Sequence, residues 1–242
     1  MESDVTQSAL FYKLWAWAEK NKKQLLWGSV VVVVLGLGIA FWLVHENQKQ
    51  NDANEALSKL AGQSMTPPGT GPSPDALLKV TADYSDTDAG QRALMLGAVA
   101  LFDGGKYDEA QARFQQFLKD YSESPFVSQA AFGVAACYDA QGKTQDAISG
   151  YQGVVDRYPN QNVGPQAKLA LGRLLEGQGK FTEARSNFQE VLRSSQGTIA
   201  SEAASRLQEL NTAHPETLES TNRSVAPTAP AMPAAPVLNP KP

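Results

Sequence analysis

The 242-residue sequence is poor in the side chains on which most protein chemistry depends. It has one cysteine, Cys137, and two histidines, His45 and His214. A single thiol excludes an intrachain disulfide framework and a multi-cysteine zinc site. It also lies far from the amino terminus, so no lipid anchor on an N-terminal cysteine is available. The histidines stand at the edge of an apolar run and just before a proline near the tail, places where neither is held beside a nucleophile or a metal. His45-Glu46 has no second histidine four residues on, so it is not a metalloprotease helix. Basic excess is missing too: 21 Lys and Arg face 25 Asp and Glu, a net charge of −4, and no basic stripe is left to hold nucleic-acid phosphates. Neither a phosphate-binding loop nor a dinucleotide fingerprint occurs, and Gly104-Gly105 and Gly177-x-Gly179 read as turns between helices. Cys137, among Ala135, Ala136 and Tyr138, falls on the close-packed side of a helix and reads as a buried structural thiol. Asp108, Glu109 and Glu183 open helices, where carboxylates suit the N-terminal dipole. The expectation is a chain that is not an enzyme and takes no cofactor, metal, small-molecule substrate or nucleic acid.

Charge is also missing between Lys23 and Glu46, where LLWGSVVVVVLGLGIAFWLV (residues 25–44) has Ser29 as its only ordinary polar residue. Twenty helical residues span roughly 30 Å, the thickness of a bilayer core. Trp27, Phe41 and Trp42 stand near the boundaries, where amphipathic rings prefer the interface. The span is placed at 24–45. A cleaved signal peptide, with Gly38-Ile39-Ala40 as its small-x-small site, is the competing interpretation. Lys13, Lys20, Lys22 and Lys23 precede the span, against Lys49 and Lys59 beyond it. This predicts a single pass through a bacterial cytoplasmic (inner) membrane, with the N-terminus in the cytoplasm and the remainder periplasmic or extracytoplasmic. In the leader, 1–23, Leu10, Phe11, Leu14, Trp15 and Ala18 share one helical face, which suits a membrane-surface anchor, a docking site or a plain spacer.

After the span, residues 46–62 lack proline and extend the helix into water. Residues 63–74, with four prolines and two glycines in TPPGTGPSP, form a hinge or linker. Residues 75–212 are helical by period throughout, with no strictly alternating segment. Within them Gly105-Lys106-Tyr107-Asp108-Glu109-Ala110 is echoed by Gly142-Lys143-Thr144-Gln145-Asp146-Ala147 and by Gly179-Lys180-Phe181-Thr182-Glu183-Ala184, each thirty-seven residues on. A period of that length marks a helical solenoid. Leu94, Ala98 and Leu101 precede the first turn, and Phe114, Phe117 and Leu118 follow it. Ala131, Ala135, Tyr138 with Tyr151, Val154, Val155, and Leu171, Gly172, Leu175 with Phe188, Val191, Leu192, fill the same places in the next two copies. Residues 75–84 make half a hairpin ahead of the repeats. A terminal cap at 198–212 turns Ile199, Ala203, Leu207 and Leu210 inward. The tail, 213–242, has six prolines in its last eighteen residues and is expected to be disordered or polyproline II-like.

The small-residue position, turn glycine, helix-opening alanine and later aromatic, with Pro159 at a repeat-ending place, resemble the tetratricopeptide repeat. Copies fall at about 91–124, 128–161 and 165–198. Departures are three extra residues per copy, Lys168 where an aromatic is usual, and Ser122 and Gln196 in place of the terminal proline. The fold class is therefore all-α, an N-terminal transmembrane helix followed by a tetratricopeptide-type helical-hairpin solenoid. With the leader, span and juxtamembrane helix, and above all with LLKVTADYSDTDAGQRALMLGAVALFDGGKYDEAQARFQQF (Leu77 to Phe117), the layout from about residue 5 to 210 resembles the YfgM-type ancillary subunit of the bacterial SecYEG translocon. That resemblance implies a membrane-anchored scaffold that meets translocon subunits, periplasmic chaperones or unfolded clients. Tyr158-Pro159 and the repeat turns also resemble periplasmic coordinators of cell division and outer-membrane assembly. An adaptor for another envelope complex (division, outer-membrane or wall assembly, a dedicated secretion system) thus stays open. In such a solenoid the first helix of each hairpin lines the concave side. Counting from the small residues places Arg92, Met95, Val99, Phe102, Gln129, Phe132, Ala136, Gln166, Leu169 and Arg173 there. The set lacks the lysine and asparagine cluster that clamps a terminal carboxylate, so an amphipathic helix or unfolded apolar segment is the expected ligand. The chain's own residues 46–62 or its capping helix are competing occupants.

Overall fold

The structure, a computed structural model, describes residues 15, 17, 19–63, 71–159 and 161–215. Among these residues every regular element is a helix: α1 (Lys22–Gln63), α2 (Pro74–Asp83), α3 (Asp88–Asp103), α4 (Tyr107–Asp120), α5 (Val127–Ala140), α6 (Thr144–Arg157), α7 (Val163–Gly177), α8 (Phe181–Ser194) and α9 (Thr198–Ala213). The chain divides into two compact units, residues 1–93 and 94–242, with the boundary inside α3.

In the first unit α1 runs 42 residues without a break. Its first half is apolar and exposed, and it is long and apolar enough to cross a membrane. The polar second half packs on α2. Ala53 is fully buried there, as are Leu77 and Val80 of α2. Lys49 pairs with Asp86, and Gln50 Oε1 accepts the Asp88 N–H at 3.3 Å, so α1 runs antiparallel to α2 and the turn after it. The segment 63–74, expected as a hinge or linker, joins α1 to α2. Its residues 64–70 lie outside those described. Ser73 starts α2 by accepting the Ala76 N–H at 3.2 Å, with Pro74 at the first helical position and Asp75 in the first turn. Buried Thr87 does the same for α3, accepting from the Gly90 N–H at 3.0 Å while its hydroxyl donates to the Tyr84 carbonyl at 2.7 Å.

In the second unit the hairpins α3/α4, α5/α6 and α7/α8 repeat one turn. Gly105, Gly142 and Gly179 take φ of 74°, 71° and 74°, a left-handed conformation that side chains with a Cβ resist. The next residue's N–H, on Lys106, Lys143 and Lys180, then bonds back to Leu101, Tyr138 and Leu175, in each case at 2.9 Å. Ala110, Ala147 and Ala184, five residues past each glycine, are completely buried. Phe114 packs over Gly133 and Phe188 over Gly172, so closely that a Cβ on either glycine would come within 2.6 and 2.5 Å of the ring. Each buried Phe contributes about 1.5–3 kcal/mol relative to exposure. Lys168, at the place where the repeat usually has an aromatic, is only 18% exposed and pairs with Glu190 at 2.8 Å.

Helix α9 packs on α8 and touches α7, burying Ala203 and Leu210 with Ile199 and Leu207 partly covered. Here a buried cation appears that composition does not reveal: Arg185, 1% exposed, donates to Asn211 Oδ1. The His214 ring stacks on Phe181 at a centroid distance of 3.5 Å, and its N–H bonds to the Leu210 carbonyl at 2.9 Å. Ala213 and His214, assigned from sequence to the tail, are thus part of the cap; residues from 216 onward lie outside those described.

Candidate protein-binding groove

Residues 94, 98 and 101 of α3 point into the core, and 95, 99 and 102, at i, i+4 and i+7, share the adjoining face about 100° around the helix. The 129, 132, 136 series of α5 is placed in the same way. Together they line one concavity of about 230 Å³ within the second unit: Met95, Val99 and Phe102 from α3, Phe114 from α4, Gln129, Phe132, Gly133 and Ala136 from α5, and Val163 and Gln166 from α7. No charged side chain lines it. Its polar groups are the amides of Gln129 and Gln166, which occupy equivalent places thirty-seven residues apart. A cavity near 150 Å³ accepts a benzene ring, so this one has room for a large apolar side chain.

The aromatic walls are braced from outside. Phe102 meets Tyr107 edge-on at 5.2 Å, and Phe132 leans on Tyr151 at 5.3 Å. Burial pushes the Tyr151 phenol far above its ordinary value; the Asp139 carboxylate, to which the hydroxyl donates, adds to this, and the Arg173 charge opposes it. Tyr151 is therefore a neutral support for Phe132, not an acid or base.

Of the ten positions expected on this face, Met95, Val99, Phe102, Gln129, Phe132, Ala136 and Gln166 line the concavity. Leu169 does not: it is 7% exposed and belongs to the hydrophobic core. Arg173 is exposed on α7, and Arg92 is exposed in the first turns of α3, inside the first unit. Phe114, Gly133 and Val163 were not expected here. Phe114 reads in sequence as a core residue, and it is; the absent side chain at Gly133 lets its ring also form the groove floor. A second concavity, about 420 Å³, lies between α6, α7 and α8, lined by Ile148, Gln152, Leu175, Lys180 and Glu183 among others. Among the described residues no group of three or more His, Cys, Asp or Glu could hold a metal ion.

The sequence profile of the tetratricopeptide repeat-like domain family matches residues 15–212. No curated protein sequence matches the chain. Among solved structures, MamA (residue 41 to the end) from Desulfovibrio magneticus RS-1 is similar, with TM-score 0.50 and 15% identity, over 72% of this chain and 94% of that one. The Yersinia enterocolitica type III secretion chaperone SycD, solved with a peptide of the translocator YopD, aligns with TM-score 0.44 and 20% identity over 50% of this chain and 92% of that one. At these identities the likeness concerns fold alone.

Proposed function

The chain belongs to the tetratricopeptide repeat-like domain family, and from that premise we propose that it is a membrane-anchored, non-enzymatic scaffold that binds apolar segments of other proteins in the groove between α3, α5 and α7. The observation that carries the proposal is the groove itself: three phenylalanines and a methionine face an open concavity with no charge on its walls. Val99 there is 42% exposed and so open to contact from a partner's side chain. An uncharged wall selects an amphipathic helix or an extended apolar segment and disfavours a terminal carboxylate or a phosphopeptide.

The finer proposal places the scaffold in a bacterial inner membrane, N-terminus in the cytoplasm and repeats outside, beside the Sec translocon, where it meets emerging clients and envelope chaperones. The sequence resemblance over about residues 5–210, the apolar first half of α1 and the preceding lysines support it. A second reading, an adaptor for a division, wall-assembly or dedicated secretion complex, is favoured by Tyr158-Pro159 and the repeat turns, which also resemble periplasmic coordinators; the proline-rich tail belongs to neither pattern. The test is a photo-crosslinking residue at Gln129 of the full chain in growing cells, with and without Val99→Asp. A translocon subunit or translocating chain captured only without the substitution, at unchanged helicity, supports the proposal. Capture that persists with Val99→Asp rules out the groove, and adducts confined to division or wall-assembly proteins select the second reading.

A further inference from the structure

We propose that the groove is regulated by the chain's own tail: the uncharged segment 225–239 docks in it as a polyproline II helix and must be displaced by any partner. This rests on the groove being the binding surface, and it adds an occupant and a control. Residues 46–62 are packed on α2, and α9 is packed on α8 and α7, so neither alternative internal ligand is at liberty. Residues 216–242 follow α9 in the same unit as the groove and have the length and chemistry required.

From Ser224 to Pro240 the sequence carries no charge, bounded by Arg223 and Lys241. It therefore suits a groove whose walls hold none. Pro227, Pro230, Pro233 and Pro236 recur every third residue. Three residues make one turn of polyproline II, so these prolines form a single ridge, with Met232 and Leu238 together on an adjoining one. Proline ridges dock in grooves floored by aromatic rings, and Phe102, Phe114 and Phe132 supply these rings. The preset proline backbone also lowers the entropy lost on docking.

Helix α9 and its cap end at Pro215, in the same unit as the groove. At about 3.1 Å per residue, fifteen residues of polyproline II cover roughly 47 Å before Pro230. A unit of about 120 residues has a radius of gyration near 14 Å, so the segment can reach any face. Tethering at this length gives an effective concentration on the order of 1 mM. A segment with Kd near 0.1 mM would then fill about nine grooves in ten and weaken a competing ligand about tenfold.

The test compares the full chain with a chain stopped after Pro215, both in lipid nanodiscs. The probes are a neutral fluorescent synthetic peptide of residues 225–239 and an unrelated uncharged Leu/Ala helical peptide, read by fluorescence anisotropy. The expected result is saturable binding of the tail peptide to the shortened chain, about tenfold weaker binding to the full chain, and loss of binding with Val99→Asp at unchanged circular dichroism. Equal affinity for both chains, no binding, or indifference to Val99→Asp overturns tail docking. If the Leu/Ala peptide still binds in a Val99-dependent way, the tail proposal alone is lost. If neither peptide binds, the groove assignment falls with it.

Discussion

Gly133→Ala and Gly153→Ala make the same chemical change in neighbouring helices and should have opposite effects. Each replaces a helix-interior glycine, which by propensity alone stabilises by about 0.8–1 kcal/mol. At Gly153 a new Cβ meets nothing within 4 Å, so this gain is realised in full. At Gly133 the new Cβ would stand 2.6–2.7 Å from three carbons of the Phe114 ring, well inside contact distance. Phe114 is buried and cannot swing into solvent, so the ring or the α4–α5 spacing must shift. Overpacking of this kind costs about 1–3 kcal/mol. The difference between the two variants should therefore be about 1–3 kcal/mol, with Gly153→Ala above the parent and Gly133→Ala at or below it. For a unit of this size that is on the order of 4–12 °C in melting midpoint, measurable by far-ultraviolet circular dichroism of the full chain in detergent. Because Phe114 also floors the groove, Gly133→Ala should weaken apolar-peptide binding, and Gly153→Ala should not. Equal stabilisation by both substitutions would refute the proposed close approach of α4 and α5.

Cys137 is buried, and burial first, with the Asp108 charge second, pushes its thiol from 9.0 up to about 11. It should resist a disulfide reagent at pH 8 until the chain is denatured, and rapid labelling of the native chain would refute the packing. Since its folded value lies above the unfolded one, its contribution to stability is complete below about pH 9 and is lost as pH rises toward about 11. Cys137→Ala should remove that part of the alkaline loss, and an unchanged alkaline slope would contradict the assignment. A reporter active only outside the cytoplasm should work when fused after Gly62; silence there, with activity of a cytoplasmic reporter at the same junction, would reverse the orientation and remove the translocon reading.

The repeats were legible in the sequence because their determinants are local. A glycine forced to positive φ, a lysine N–H bonding back five residues and an alanine five positions past the glycine lie within six residues, so the motif recurs wherever the turn does. Groove positions on α3 and α5 were legible for the same reason, since each helix buries one face and shows the other. Leu169 shows where this rule stops. Helix α7 is packed by α6, α8 and α9 and buries eight residues spread around much of its circumference, so no single face can be assigned to solvent by counting. Arg185 and His214 escaped for a different reason: their partners, Asn211 and Phe181, lie 26 and 33 residues away, and no local pattern marks such pairs. The packing of α1 on the turn after α2 likewise depends on Lys49 meeting Asp86, a contact across 37 residues that composition cannot express.

That contact determines how the first unit is carried. If residues 25–44 cross the bilayer, Lys49 follows the last apolar residue by five positions, a rise of about 7–8 Å along an unbroken helix. Ala53, the buried contact with the half hairpin, is only about 6 Å further on. The turn after α2, with Asp86 and Asp88, is therefore held close to the lipid headgroups, and no flexible tether intervenes. Acidic side chains so near an anionic surface would be repelled within about a Debye length. The Lys49 ammonium offsets this: its hydrogen bond holds the Asp86 carboxyl below its ordinary value, so the pair carries no net charge. Gln50, by accepting from the Asp88 N–H, adds a second fixed point one residue further along α1. On that premise, the height of the half hairpin above the membrane is set by the geometry of the unbroken helix α1.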